Sequence, residues 1–398
     1  MEFTASDRQH MARALVLAAR GLYTTSPNPR VGSVIVRDDV VIGEGWHLRA
    51  GEPHAEVNAI ADAHARGAQT RGATMYVTLE PCNRYGRTPP CVDAVVAAGL
   101  ARVVVAIRDP NPDQAHGAER LRAAGVTVDV GLLEVEASEL NIGFVSRMTR
   151  GRPWVRAKIA ASLDGKTALV NGESQWITGP VARADGHAWR ARACAILTGV
   201  GTVMQDDPAL TVRAVETPRQ PLRVVVDRHG QTSPAARVLA DNHALIVTAG
   251  ERNVAWPPEI DVLALPDVNG RVDLAGLMKA LGDRGINELH VEAGAKLSGA
   301  LLDAGLVDEL LLYLAPALIG DPARGMFERV APLTNLAAKA ELVWHSIERC
   351  GDDLRVIARL RTQLNTQLNT QLSTQLSTQL STQLSTQPHL QMGPGGTP

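Results

Sequence analysis

Short valine-rich runs alternate with helix-patterned stretches twice along the chain, once on each side of a polar connector, Thr149-Arg150-Gly151-Arg152-Pro153. Alternation of this kind confines a chain to α/β architecture, because each apolar run must pair in a sheet and each amphipathic helix must cover a sheet face. In the first half, Ser6 or Asp7 is expected to cap a helix whose apolar face carries Met11, Ala14, Leu15 and Ala18. Strands are expected over 31–36 and 40–43, with Asp38-Asp39 turning between them, then a helix over 54–65 and a strand over 74–79. A helix over 91–98, a strand over 102–107 and a further helix and strand ending near Val130 complete the unit. In the second half strand-like runs recur over 155–161, 195–198, 222–226, 244–248, 288–292 and 309–314, and the pattern ends near Leu360. A length of 398 residues suits two such domains.

The net charge of −2 offers no general attraction to nucleic acid or to an anionic membrane. With aromatics at 3%, the cores must be built from Val, Leu, Ala and Ile, and a base-stacking surface is disfavoured. No apolar run approaches the ~20 residues of a bilayer span, and the N-terminus lacks a basic segment followed by an apolar one. The cytoplasm is therefore the expected location, where Cys82, Cys91, Cys194 and Cys350 are better read as ligands or buried thiols than as disulfides. From Thr362 a Thr-Gln-Leu-Asn/Ser tetrapeptide repeats without charge as far as Gln387. A four-residue period advances ~400° per repeat around a helix and gives no fixed seam, so 362–398 is expected to be a disordered tail.

The strongest chemical signal is Pro53-His54-Ala55-Glu56 at a helix start, followed by Glu80-Pro81-Cys82 and by Cys91. One imidazole and two thiolates leave the fourth tetrahedral position of a zinc ion to water, whose pKa the metal lowers toward neutrality. Glu56 can then shuttle protons between that water, a ring nitrogen and departing ammonia. Residues i and i+2 face different ways inside a helix, so the His54/Glu56 pairing works only in the first turn. This is the His-x-Glu … Pro-Cys pattern of zinc deaminases acting on cytosine- or adenine-like rings. A structural zinc site would ordinarily have four protein ligands and no need of the carboxylate.

The wider sequence resembles the bifunctional deaminase–reductase family of riboflavin biosynthesis. The ten residues 82–91, Cys-Asn-Arg-Tyr-Gly-Arg-Thr-Pro-Pro-Cys, carry the likeness, as do Pro27-Asn28-Pro29-x-Val31-Gly32, Gly45-x-His47-x-x-Ala50-Gly51-x-Pro53 and Asp109-Pro110-Asn111-Pro112. The resemblance implies His54, Cys82 and Cys91 as zinc ligands, Glu56 as proton shuttle, Asn28 and His47 on the substrate, and Arg87 at its phosphate. Three positions depart from the family's usual pattern: Asn83-Arg84 replaces Ser-His, and Ser33 replaces a Cys.

The second half lacks a dinucleotide fingerprint, since Gly199-Val200-Gly201 has no third glycine. It offers instead Glu292-Ala293-Gly294-Ala295 at a strand-to-helix turn, a helix start suited to an anion. Lys158-x-x-x-Ser162-Leu163-Asp164-Gly165-Lys166, Gly172-Glu173-Ser174-Gln175-Trp176 and Asp206-Asp207-Pro208-x-Leu210-Thr211-x-Arg213 are similar to the reductase half of the same family. That resemblance implies a dihydrofolate-reductase-like α/β fold beside a cytidine-deaminase-like three-layer α/β/α fold. The deaminase would span 1–148, zinc-dependent, and the reductase 153–361, NADPH-dependent. Ala160, Trp176, Thr202, Asp206 and the run Gly294, Ala295, Lys296, Leu297, Ser298, Gly299, Ala300 would line the cofactor site. Ser174, Arg190, Leu210, Arg213 and Glu292 would line the substrate site, with the two guanidiniums as phosphate partners. The expected partners are a pyrimidine ribosylamine phosphate and a second copy of the chain, with no nucleic acid and no membrane. A nucleoside or tRNA deaminase with an appended binding module is the alternative, and it leaves the reductase motifs unexplained.

Overall fold

The computed structural model describes residues 2–86, 89–250 and 255–361. The first domain runs α1 (Ala5–Ala19), β1 (Gly32–Arg37), β2 (Val40–Trp46), α2 (Ala55–Ala65), β3 (Thr74–Leu79), α3 (Cys91–Ala97), β4 (Arg102–Ile107), α4 (Gly117–Ala123), β5 (Thr127–Val130), α5 (Glu134–Leu140) and α6 (Ile142–Arg150). Its sheet has the order β2-β1-β3-β4-β5, antiparallel as far as β3 and parallel beyond it. The helices α1 and α5 pack together, as do α2, α3 and α4, so the sheet lies between two helical layers.

Local chemistry accounts for the joints. Thr4, not the expected Ser6 or Asp7, caps α1. Its Oγ accepts the Asp7 N–H at 3.0 Å, and the Asp7 carboxylate accepts the Thr4 N–H at 2.9 Å. Asp7 is thus the reciprocal partner in a capping box. Arg37 pairs with Val40, leaving a two-residue turn in which Asp38 and Asp39 both have positive φ, 50° and 64°, as the twist of a tight hairpin demands. Gly45 lets α2 lie directly on β2: a Cβ there would stand 2.3 Å from the Ala59 backbone nitrogen. The helix that begins beside His54 is therefore held close to the sheet.

The second domain contains β6 (Trp154–Ser162), β7 (Lys166–Ala168), α7 (Pro180–Arg192), β8 (Ala195–Gly199), α8 (Val200–Asp206), β9 (Leu222–Val226), β10 (Ala244–Thr248), β11 (Asp261–Ala264), α9 (Leu274–Asp283) and β12 (Glu288–Val291). It continues with α10 (Ala295–Asp303), β13 (Glu309–Ala315), β14 (Arg324–Gly325), β15 (Leu342–Cys350) and β16 (Asp353–Leu360). Nine strands form one sheet in the order β11-β10-β9-β8-β12-β6-β13-β16-β15, parallel from β11 to β13 and antiparallel at the last two. One face of its central strands is apolar, with Val155, Leu197, Val224, Leu245 and Leu289 fully buried. Ile196, Val225 and Ile246 bury the other face of β8, β9 and β10, where β6 and β12 instead carry the buried polar side chains Arg156, Glu288 and His290.

The sequence reading missed α5, α6, the short strands β7, β11 and β14, and the β15–β16 hairpin. It also placed Thr149 and Arg150 in a connector, whereas they form the last turn of α6, which stops at Gly151 with φ 67°. No helix among the described residues is long and apolar enough to cross a membrane. The tail from 362 and Arg87 lie outside the described residues.

Candidate active sites

Three element ends converge at one point of the first domain. Glu80-Pro81-Cys82 leaves the C-terminal end of β3, α3 begins at Cys91, and His54 is the N-cap of α2 with extended backbone (φ −77°, ψ 169°). His54 Nδ1 lies 3.2 Å from Cys91 Sγ and 3.6 Å from Cys82 Sγ, and all three donor atoms fall within 4.8 Å of one another. Ligands bound to zinc at about 2.0–2.3 Å in a tetrahedron stand ~3.5 Å apart, so donor chemistry and spacing both fit that metal. Among the described residues this is the one such His/Cys/Asp/Glu group.

The thiols are electrostatically unequal. Cys82 is pulled down to about 4, first by its hydrogen bond with Cys91 and then by His54, while the same contact and burial push the Cys91 thiol up. His54 is shifted upward chiefly by its bond to Cys82. Glu56, in the first turn of α2 and only 3% exposed, is pushed up to about 7, mainly by burial, with the Cys82 thiolate adding to the shift. A carboxyl poised near neutrality can both take and give a proton.

Beside this group the Asn28 Nδ2–H donates to His47 Nε2 at 3.0 Å, and His47 Nδ1–H donates to the Pro53 carbonyl at 3.2 Å. Both ring nitrogens are thereby assigned in a neutral imidazole, in keeping with burial pushing the His47 pKa down. The His47 ring meets the His54 ring edge-on at 5.1 Å. Glu80 supports the centre although no role was read for it in the sequence. Its carboxylate accepts the backbone N–H groups of Asp109 (3.0 Å) and Ala118 (2.8 Å), tying β3 to the Asp109-Pro110-Asn111-Pro112 turn. Its position just before Pro81-Cys82 was the available signal.

In the second domain a cleft of about 1240 Å³ opens at the C-terminal ends of β6, β8 and β12, where open parallel sheets bind ligands. Ala160, Ser174, Trp176, Thr202 and Asp206 line it, as do Gly294, Ala295, Lys296 and Leu297. Ser298 and Gly299 are buried within α10 and do not line it, nor does Ala300. At Gly299 a Cβ would stand 2.0 Å from the Glu328 carbonyl oxygen, so this glycine serves packing. Arg190, Leu210, Arg213 and Glu292 also line the cleft. Arg190 is committed to Glu292 by two parallel contacts of 2.5 and 2.9 Å, so it fixes that carboxylate as well as facing the cavity. Arg213 donates to Thr211 Oγ1 at 3.0 Å. Trp176 stands 70% exposed with the Arg183 guanidinium stacked 4.5 Å over its ring. Lys158 also reaches the cleft from β6, with Nζ 3.9 Å from Glu292 Oε2. A lysine interrupting an apolar central strand was its signal.

A cysteine–histidine deaminase-type centre on one α/β domain and a nucleotide-sized cleft on the next define the class, a deaminase fused to a reductase. Residues 4–107 match the cytidine and deoxycytidylate deaminase zinc-binding region, and residues 153–356 match the RibD C-terminal domain. Riboflavin biosynthesis protein RibD of Escherichia coli is 48% identical over 87% of this chain and 98% of its own length. The Haemophilus influenzae counterpart is 44% identical over 89% and 98%. The solved RibD of Acinetobacter baumannii superposes with a TM-score of 0.82 at 42% identity, covering 89% of this chain and 99% of that one. A Thermotoga maritima structure described as a diaminohydroxyphosphoribosylaminopyrimidine deaminase and 5-amino-6-(5-phosphoribosylamino)uracil reductase gives 0.82 at 36% identity, with the same coverage. The chain belongs to the RibD family, the bifunctional deaminase–reductases of riboflavin biosynthesis.

Proposed function

We propose that the first domain deaminates 2,5-diamino-6-ribosylamino-4(3H)-pyrimidinone 5′-phosphate. The second then reduces the ribosyl group with NADPH to give 5-amino-6-(5-phospho-ribitylamino)uracil. The observation that carries the reading is the convergence of His54, Cys82 and Cys91 beside Glu56, buried in the first turn of α2. In this reading the three residues hold one zinc, which supplies an activated water when bound. Asn28 and His47 orient the pyrimidine. Glu56 would take one proton from the attacking water and pass it to the ring nitrogen, then take the second from the hydroxyl so formed and pass it to the amino group, which leaves as ammonia.

The NADPH reading is supported by Gly294, which presents the start of α10 to the cleft, and by Lys296, which offers positive charge for the cofactor's phosphates, while Arg213 is left for the substrate's phosphate. The cofactor supplies a hydride when bound. The chain's own part is to place the opened sugar carbon against it, with Glu292 fixed by Arg190 and Lys158, and with Asp206 at the end of α8 to assist proton movement. The domains divide between the end of α6 at Arg150 and the start of β6 at Trp154 in this scheme. Self-association belongs to the same reading and is supported by Trp344 and Ile347, 65% and 57% exposed on the edge strand β15. The test is incubation of purified protein with the diaminopyrimidinone substrate, with and without NADPH, followed by mass spectrometry. Exchange of an amino group for oxygen should come first, and gain of two hydrogens only with NADPH.

A further inference from the structure

The loop between α1 and β1 carries Asn28 to the deaminase centre, yet much of what holds that loop belongs to the reductase domain. Asn287, the residue before β12, donates Nδ2–H to the Pro27 carbonyl at 2.9 Å, and its Oδ1 accepts from Arg147 Nε at 2.6 Å. Arg219 Nε–H donates to the Tyr23 carbonyl at 3.0 Å. The Cys194 thiol donates to Ser26 Oγ at 3.4 Å. On the far side of Asn28, Arg30 pairs with Glu288 at 2.8 Å, the two side chains being 6% and 1% exposed. Arg30 is also fixed within its own domain: its N–H donates to Asn141 Oδ1 at 2.8 Å, and Asn141 Nδ2–H donates to its carbonyl at 2.9 Å.

Anchors therefore flank Asn28 on both sides, two of them at consecutive reductase residues, Asn287 and Glu288. Glu288 can serve because Arg156 and Arg192 reach the same carboxylate at 3.1 and 2.7 Å, so its charge is paired from within the reductase domain as well. A catalytic contact has to be held to within about half an ångström. The internal bonds of the loop alone, such as Asn28 N–H to the Thr25 carbonyl at 2.9 Å, leave Pro27 and Tyr23 to be fixed by the other domain.

We infer that Asn287 and Arg219 of the reductase domain are positioning residues for deamination, acting through the loop that presents Asn28 to His47. This rests on the deaminase reading of the first domain. It gives the fusion of the two domains a physical role: the second completes the substrate pocket of the first.

The test uses the full-length, zinc-loaded protein. Asn287→Asp keeps the acceptor for Arg147 but replaces the donor to Pro27 with an oxygen facing a carbonyl. Arg219→Met removes the donor to Tyr23 from a different part of the domain, together with its bonds to the Ala191, Arg192 and Ala193 carbonyls at the end of α7, and reports on the loop if Asn287→Asp folds poorly. Each should raise the deamination KM about tenfold while kcat stays within about threefold, the signature of a lost ground-state contact. Zinc content should match the parent in both variants, and reduction of pre-deaminated substrate should match it in Asn287→Asp. In an Asn28→Ala background the effect of Asn287→Asp should vanish, a non-additivity that general loosening would not produce. Parental KM values in folded variants would overturn the inference, as would an undiminished effect of Asn287→Asp without Asn28. Failure of the deaminase reading would look different, because the parent itself would then release no ammonia.

Discussion

Replacing Glu56 by Gln isolates the proton-transfer step from metal binding. The side chain is 3% exposed in the first turn of α2, beside three other donors that suffice for the metal, and Gln matches its volume. No cavity is created, so little stability is at stake. What is lost is a group that burial has pushed up to about 7, so that at neutral pH both its protonated and its ionised forms are populated. General acid–base catalysis by such a group contributes about 10²–10⁴-fold, or about 3–5 kcal/mol of barrier at 1.36 kcal/mol per decade. Steady-state deamination should fall by that factor in kcat, with KM nearly unchanged and metal analysis returning the parental zinc content. A variant that loses its zinc would refute the reasoning by making Glu56 a ligand. So would one that keeps deamination within a few-fold.

Other perturbations follow from the same structure. Burial alone would raise the Asp7 pKa, but hydrogen bonds from Arg102, Thr4 and Tyr76 outweigh it and hold the carboxyl well below its usual range. Its stabilisation is therefore complete above about pH 4 and is lost as pH falls toward the folded pKa; Asp7→Asn should cost roughly 2 kcal/mol at pH 7 and progressively less in acid melts. Gly45→Ala should destabilise by about 1–3 kcal/mol, because the new Cβ would press on Ala59 of α2; a melting temperature equal to the parent's would show that α2 can withdraw freely. Removal of 362–398, an uncharged repeat through Gln387, should leave both activities and the melting temperature as they were. Asp206→Asn should slow reduction while deaminated intermediate accumulates, and equal loss of both reactions would argue against separate sites.

The parts of the fold written in local pattern were legible. Thr74–Leu79, Arg102–Ile107, Leu222–Val226 and Ala244–Thr248 are short, mostly apolar strands of β-branched and aliphatic residues. The placement of His54 at a helix start was legible too, since Glu56 two residues on can share its site only there. The β15–β16 hairpin was not, because β15 is largely solvent-exposed and carries no sustained alternation. The cap of α1 was misplaced by a few residues because Thr4, Ser6 and Asp7 are all capable caps, and only geometry decides between them. The seam between the domains was invisible for a deeper reason. Glu288 and His290 interrupt a buried strand with polar groups, a sign of partners, but the Arg30 that meets Glu288 lies in the other domain and no local rule pairs them. In the reductase cleft, the helix start at Gly294 was readable, whereas the inward turn of Gly299 depended on packing against Glu328.

The account stands on two chemistries at two sites, and metal removal separates them most directly. Chelated protein, verified free of metal and still folded, is given the diaminopyrimidinone substrate in one assay and pre-deaminated substrate with NADPH in the other. Loss of deamination with reduction retained, and recovery of deamination on adding zinc, is the predicted result. Deamination that persists without metal, or reduction that disappears with it from folded protein, would contradict the account.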